Sequence, residues 1–535
     1  MVLFIEKLLN FAKNKMKSMY RLFFFLSVFL ITSELFAQHS NVMISDQFDP
    51  NEPSIMINPR NTSQIVAGAN LDNYYYSSNA GLTWSRGTLS SSFGVWGDPT
   101  IIVDTTGSFY FFHLSNPPVG NWIDRIVCQK MDSLGKPWNN GTYFGLNGTK
   151  AQDKQWPAVD PRNNNIYVTW TEFDEYNSSL STDSSRILFS KSVDGGQTWI
   201  NPVRINRYSG DCLDMDSTTE GAVPAVGPNG EIYVSWAGPN GIVFNKSTDE
   251  GATWLPAEQF VTDFPGGWDF MIPGINRSNG LPVTCCDISD GPYRGNIYVN
   301  WIDHRNGAND PDVWLIKSSD GGQNWSLPIR VNDDGAGNTQ FFTWMTIDQK
   351  TGYLYFVYYD RRNYYDNRTD VYMAVSKDGG DNFVNFKIST SPFTPVSTVF
   401  FGDYTNVSAY NNVVRPIWAR CDEGAMSIWT ALIDPVFLGT DAESENGLML
   451  DQNAPNPFNG STVFTFKLRH TDKVSLKVFD IFGREVATLI DKEVLEPGKY
   501  RRQFDAPNNK LASGVYFFSL ITSEKVVTKK MLLEN

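Results

Sequence analysis

The chain has 535 residues, 14% of them aromatic and only 19% charged, with 42 Gly and 28 Pro; many short aromatic strands joined by Gly-rich turns make it an all-β protein with room for more than one domain. A net charge of −14 and a pI near 4.9 exclude nucleic acid and anionic membrane as partners. The four histidines (His39, His113, His304, His470) are never close in sequence, and the five cysteines (Cys128, Cys212, Cys285, Cys286, Cys421) show no Cys-x-x-Cys spacing. No His-based metal site or triad, zinc ribbon or disulfide scaffold is therefore expected, and no cofactor or metal.

Residues 1–37 read as a secretory signal. Arg21 precedes the apolar run 22–32, and Leu35-Phe36-Ala37 before Gln38 forms a cleavage site, with Met16 or Met19 as alternative starts. The apolar run is too short to span a bilayer, so the mature protein is expected to have no transmembrane span.

Residues 38–438 repeat one unit. The stretch 192–199 (SVDGGQTW) recurs at 247–254 (STDEGATW), at 318–325 (SSDGGQNW), at 376–383 (SKDGGDNF) and, with Asn79 for Asp, at 77–84 (SSNAGLTW). A degraded sixth copy keeps Asp132, Gly135 and Trp138. The pattern suits a hairpin turn: Ser and Asp side chains bond their own loop, Gly supplies positive φ, and the aromatic packs back between strands. It resembles the Asp-box, or BNR repeat, of sialidases and related β-propellers, in which this turn lies on the face opposite the active site.

Each copy opens with a short strand, near Glu52, Asp98, Gln155, Glu220, Leu281, Phe341 and Asp403, and continues with a very aromatic second strand such as 165–171 (NIYVTWT). Seven first strands stand against six turns. The last copy stops at 427–433 without a fourth strand, while residues 41–46 (NVMISD) resemble the fourth strands 202–206 and 328–333. An N-terminal strand completing the last blade would close the ring and leave no open edge. Seven blades are therefore favoured, with six as the alternative.

Residues 439–447 read as a polar linker. Residues 448–535 carry short alternating strands with Pro, Gly and Asn turns, the pattern of a small Ig-like β-sandwich. Their motifs, QNAPNPFN at 452–459, GREV at 483–486 and LASGVYF at 511–517, resemble the type A C-terminal sorting domain of the type IX secretion system of Bacteroidetes. The resemblance implies the secretion machinery as partner, acting through residues 448–535. It also implies a location outside a Gram-negative cell, either released or held on its surface. A carbohydrate-binding or adhesive module is the alternative.

In a propeller, ligands meet the loops that lead into the first strands and out of the second. Those loops hold Glu52, Asp98, Glu220 and Asp403, then Glu172, Asp303-His304-Arg305, Asp360-Arg361-Arg362 and Arg420, flanked by Trp156, Trp170, Trp236, Trp301, Trp344 and Tyr404. Two carboxylates across a sugar can act as acid and base or nucleophile, guanidinium groups bind acidic sugars, and aromatic faces suit sugar rings. Channel polarity and blade-to-blade packing would explain the same residues without chemistry. The segments NEPSIMINP, DKQWPAVDP, YYDRRN and FGDY resemble secreted BNR-repeat proteins of the sialidase superfamily, but the Arg-Ile-Pro motif of true sialidases is absent, with Glu52-Pro53-Ser54-Ile55 instead. The catalytic candidates are Glu52, Asp98, Asp403 and Tyr404. The ligand-binding candidates are Arg305, Arg361, Arg420 and Trp301. Two functions are open: a propeller that binds, and hydrolyses, extracellular glycans, acidic ones among them, or a non-catalytic propeller for glycan or protein adhesion.

Overall fold

The computed structural model describes residues 39–433 and 449–534, apart from 451, 454, 469, 481–483, 507–510 and 523–525. The expected signal and linker lie outside the described residues. The chain divides into two compact units, Met1–Ile433 and Asp434–Asn535. Every regular element among the described residues is a strand, and no helix there is long and apolar enough to cross a membrane.

The first unit holds seven four-stranded antiparallel sheets among the described residues. Their innermost strands are Ser54–Ile57, Thr100–Val103, Ala151–Val159, Glu220–Val226, Val283–Cys286, Gln340–Asp348 and Asn406–Tyr410. Each adjoins the next, and the last adjoins the first, so the sheets form the closed ring of a β-propeller. The seventh sheet takes its outermost strand from the N-terminus: Ser40–Ser45 pairs antiparallel with Ala425–Leu432, Ser40 opposite Leu432 and Met43 opposite Trp429.

Second strands such as Ile166–Phe173 (IYVTWTEF) are buried along their whole length, because a sheet inside the ring is covered on both faces. Their small polar residues reach across to the following sheet. The Thr169 hydroxyl donates to the Ala222 carbonyl (2.7 Å), the Ser235 amide to Thr284 Oγ1 (3.1 Å), and Thr343 Oγ1 to Asn300 Oδ1 (2.8 Å). The polar half of the alternation therefore stitches blade to blade.

The repeated turns close as their chemistry requires. In 192–199 the Ser192 hydroxyl donates to Asp194 Oδ1 (2.8 Å) and accepts from the Gly196 amide (2.9 Å), while Asp194 accepts from the Thr198 amide (2.9 Å) and hydroxyl (2.6 Å). The substitutions keep a donor facing an acceptor. Asn324 and Asn382 donate Nδ2 to Asp320 and Asp378 (2.7 Å each), and Asn79 itself donates to the Thr83 hydroxyl (2.8 Å). The tryptophans clamp the preceding sheet, Trp254 on Phe189 (5.1 Å) and Trp325 on Phe244 (5.2 Å). Gly251 and Gly322 allow that approach: a Cβ there would lie 2.3 and 2.4 Å from the same rings. A lysine preceding the serine also bridges to the next turn. Lys191, Lys246 and Lys317 donate to the carbonyls of Glu250 (2.9 Å), Gly321 (2.6 Å) and Gly379 (2.8 Å).

These turns carry a pH prediction. The hydroxyl and amide of Thr253 hold Asp249 down at about 2, and the amide and side chain of Asn324 hold Asp320 there too. An unfolded Asp titrates near 3.9, so this contribution to stability is complete above about pH 4 and lost as the pH falls towards 2. Carboxyl NMR titration of the folded protein should give midpoints near 2 for both; ordinary midpoints would show the turn bonds to be unformed in solution.

The second unit is a two-sheet sandwich. Met449–Leu450, Ser461–Leu468 and Gly498–Asp505 form one sheet, and Glu485–Leu495, Asp472–Phe479, Gly514–Ile521 and Val526–Leu533 the other. Alternate residues of Ser461–Leu468 point inward, where Phe464 stacks on Phe518 at 4.3 Å. The Asn-Pro motif locks the ends together. Buried Asn453 donates to Thr462 Oγ1 (3.0 Å), and Asn456 accepts the amide of Leu532 (2.8 Å).

Candidate functional site

At one mouth of the channel, the chain turns left-handed where it leads into most of the innermost strands. Glu52 (φ 50°), Asp98 (51°), Lys154 (50°) and Phe342 (48°) do so without the freedom of glycine; Gly221 (75°) and Gly402 (98°) do so with it. Left-handed backbone costs a non-glycine residue about 1 kcal/mol or more, and such strain collects at functional sites. Strand register also shifts between Asp153 and Trp156 and between Glu220 and Val223. The regular alternation is thereby broken, and consecutive side chains such as Asp153 and Lys154 both reach one chamber.

That chamber has a volume of about 470 Å³ and is lined by Glu52, Asp98, Asp153, Lys154 and Arg277 beneath walls of Trp96 and Trp122. Lys154, with 8% of its side chain exposed, bridges Asp403 (2.9 Å) and Asp98 (3.3 Å). Arg277 grips both carboxylate oxygens of Asp403 and reaches Asp214 (3.2 Å), which also accepts from the Tyr176 hydroxyl (2.6 Å). Asn70 donates to Glu52 and accepts the Asp98 amide (2.8 Å), and the Asp403 amide donates to the other Glu52 oxygen (3.2 Å).

The electrostatics split the carboxyls. Burial, with the charges of Asp98 and Asp403 beside it, pushes Glu52 well above the usual range. Burial would also raise Asp403, but Lys154 and Arg277 outweigh it and hold this carboxyl down at about 2. Burial lifts Asp153 to about 7. Adjacent carboxyls pushed in opposite directions by their surroundings are the arrangement that acid–base chemistry uses.

The sequence candidates separate accordingly. Glu52, Asp98 and Asp403 come together around Lys154. Tyr404 lies against them, but its ring belongs to an aromatic plug with Trp156 (5.2 Å) and Trp344 (6.4 Å), and its buried hydroxyl finds no partner among the described residues. Burial pushes that hydroxyl well above its ordinary pKa.

The three arginines do not meet. Arg305 pairs with Asp303 (2.5 Å) and lies over Trp301 and Trp314; Arg420 pairs with Asp422 (2.5 Å); Arg361 donates to Thr369 Oγ1 (3.0 Å) and the Pro273 carbonyl (2.8 Å). Trp301 is fully buried and donates its indole N–H to Asp303 (2.7 Å), leaving no face for a ligand. Arg305 and Arg420 are thus held by carboxylates of their own loops, and Arg361 is buried with its Nη2 without a partner among the described residues, so each is engaged in its own surroundings.

Asp153, Lys154 and Arg277 are absent from the sequence candidates. The first two were legible: Asp-Lys-Gln-Trp-Pro occupies the place that Asn-Glu-Pro and Gly-Asp-Pro take in the first two copies. Arg277 sits on the long connection between Gln259–Thr262 and Val283–Cys286, whose length is itself a functional signal. Among the described residues, no three His, Cys, Asp or Glu side chains are placed to hold a metal ion.

Comparison with known proteins gives three results. No curated protein matches the chain. Solved structures resembling it include Trypanosoma rangeli sialidase (11% identity, 84% of this chain and 86% of that one, TM-score 0.38), Penicillium chrysogenum α-L-arabinanase (13%, 60% and 93%, 0.38) and an ulvan lyase (14%, 74% and 96%, 0.45). Residues 454–534 match the family model of the secretion system C-terminal sorting domain, which indicates export to the outer surface of the cell and contact with the secretion machinery; the C-terminal sandwich is thus a sorting unit.

Proposed function

We propose that the chamber binds an extracellular glycan and that Glu52 serves there as proton donor for cleavage of a glycosidic bond. The observation that carries the reading is the pair of open indoles above the acidic floor. Trp96 and Trp122 are 37% and 44% exposed, stand edge to face at 6.0 Å and 90°, and line the same cavity as Glu52 and Asp98. Sugar rings stack on such faces, and a carboxyl that burial pushes well above its usual range is suited to protonate a leaving oxygen. The second reading, binding without turnover, is favoured by Glu52 being only 1% exposed.

A glycan array followed by release assays on every bound saccharide tests both readings. Trp96→Ala and Trp122→Ala should each weaken binding about tenfold or more. Glu52→Gln should leave binding intact and cut hydrolysis by about 100-fold or more. Binding with no release by the parent protein would select the second reading, and an array with no bound saccharide would overturn both.

A further inference from the structure

The charges around the chamber do not balance. Beside Glu52 and Glu220, whose carboxyls burial pushes up, its wall and the recess behind Arg277 carry those of Asp49, Asp98, Asp153, Asp214, Asp269 and Asp403 against two cations, Lys154 and Arg277. Both cations are committed, Lys154 to Asp403 and Asp98, Arg277 to Asp403 and Asp214. A carboxylated or sulfated ligand would have to break a buried pair before it found a cation, while the remaining carboxyls repelled it.

The acceptors, by contrast, are left over. Glu220 is fully buried in the recess beside Asp214, and neither of its carboxyl oxygens meets an N–H or O–H donor among the described residues. A buried acceptor without a donor is costly, and it adds to the acidic character of the wall behind the chamber. The Asp153 side chain faces the chamber and accepts the backbone amide of Lys154 (2.7 Å), which leaves its second oxygen available.

The walls suit the same charge. Trp96 and Trp122 meet at right angles, and Trp122 meets Tyr176 edge to face at 5.6 Å. The neighbouring rim rings already carry cations of this chain, Arg86 over Phe48 at 4.1 Å and Arg277 over Phe400 at 5.6 Å. Aromatic faces set above carboxylates recognise an ammonium group. Together the aromatic walls and the carboxyls match the charge of an organic cation.

We propose that the chamber selects a positively charged ligand and, resting on the glycan reading above, that its substrate class is a glycan with free amino groups. An acidic glycan, which the sequence leaves open, is disfavoured by the same charges.

The test is calorimetric titration of the full chain at low salt with four probes: a glucosamine tetramer, its fully N-acetylated counterpart, a galacturonate tetramer and choline. The glucosamine tetramer should bind about tenfold or more tighter than the N-acetylated one, weaken as salt is added, and lose about tenfold in Asp153→Asn; galacturonate should give no binding heat. Glu220→Gln serves as the second variant where Asp153→Asn fails to fold, and melting curves establish which variants are folded. Equal affinity for the two tetramers, or tighter binding of galacturonate, would overturn the charge selection and leave the glycan reading intact. Choline bound with every saccharide rejected would uphold the charge selection and overturn the glycan reading. Rejection of all four probes would overturn the charge selection.

Discussion

Deleting residues 39–46 should lower the melting temperature of the whole propeller by about 10 °C or more, rather than loosening one sheet. The strand Ser40–Ser45 matches five residues of its own in register with Ala425–Leu432. At about 1 kcal/mol for each hydrogen bond, its removal costs about 5 kcal/mol, and a domain of this size loses roughly 2 °C per kcal/mol. The strand also ties the ring to the preceding sheet, because Asn41 donates to the Ile388 carbonyl (2.8 Å) and accepts the Thr390 amide (2.9 Å). Without it, Ala425–Leu432 becomes an open edge that invites pairing with other chains. Thermal melts and size-exclusion chromatography of the truncated chain check both effects. A truncated protein that melts with the parent and stays monomeric would show the ring to be closed by other contacts.

Lys154→Met should destabilise the propeller by about 3–5 kcal/mol at neutral pH, the cost of leaving buried charges without their partner. Methionine preserves the apolar stem and removes only the ammonium group. Asp98 then loses its ion pair, and Asp403 keeps Arg277 alone. The sign with pH follows from Asp403, which the two cations hold down at about 2. Its contribution in the parent is complete above the unfolded value near 3.9 and disappears as the pH falls through about 2. The gap between parent and variant should therefore be widest at pH 7 and narrow between pH 4 and 2. Denaturant unfolding at pH 7 and pH 3 measures it. A gap that does not change with pH would mean that the lysine acts through packing.

The pH response of the chamber should differ from that of the turns. Asp249 and Asp320 answer to groups four residues away, whereas the carboxyls of the chamber answer to burial and to one another. For this reason the turns can be read from sequence and the chamber cannot.

The propeller repeat was legible from residues alone because each turn closes within eight residues through its own Ser, Asp and Thr or Asn. The missing fourth strand of the last repeat, and its replacement at residues 41–46, followed from counting. The sorting unit was legible because its Asn-Pro motif and terminal strands carry local patterns, although the bond from Leu532 to Asn456 spans 76 residues. Two of the arginine candidates are held locally. Asp303 and Asp422 each lie two residues from Arg305 and Arg420, and a partner tethered so closely captures a guanidinium before any distant blade can.

The chamber is another matter. Lys154 and Asp403 are 249 residues apart, Arg277 and Asp403 126, Glu52 and the Asp403 amide 351. No periodicity links such positions. They meet because a closed ring brings the starts of its innermost strands to one mouth, and because strained residues there turn adjacent side chains into the same space. Local hydrogen bonding determined the turns, the strands and the sorting motif; ring closure and burial decided which carboxyls are paired and which are pushed up.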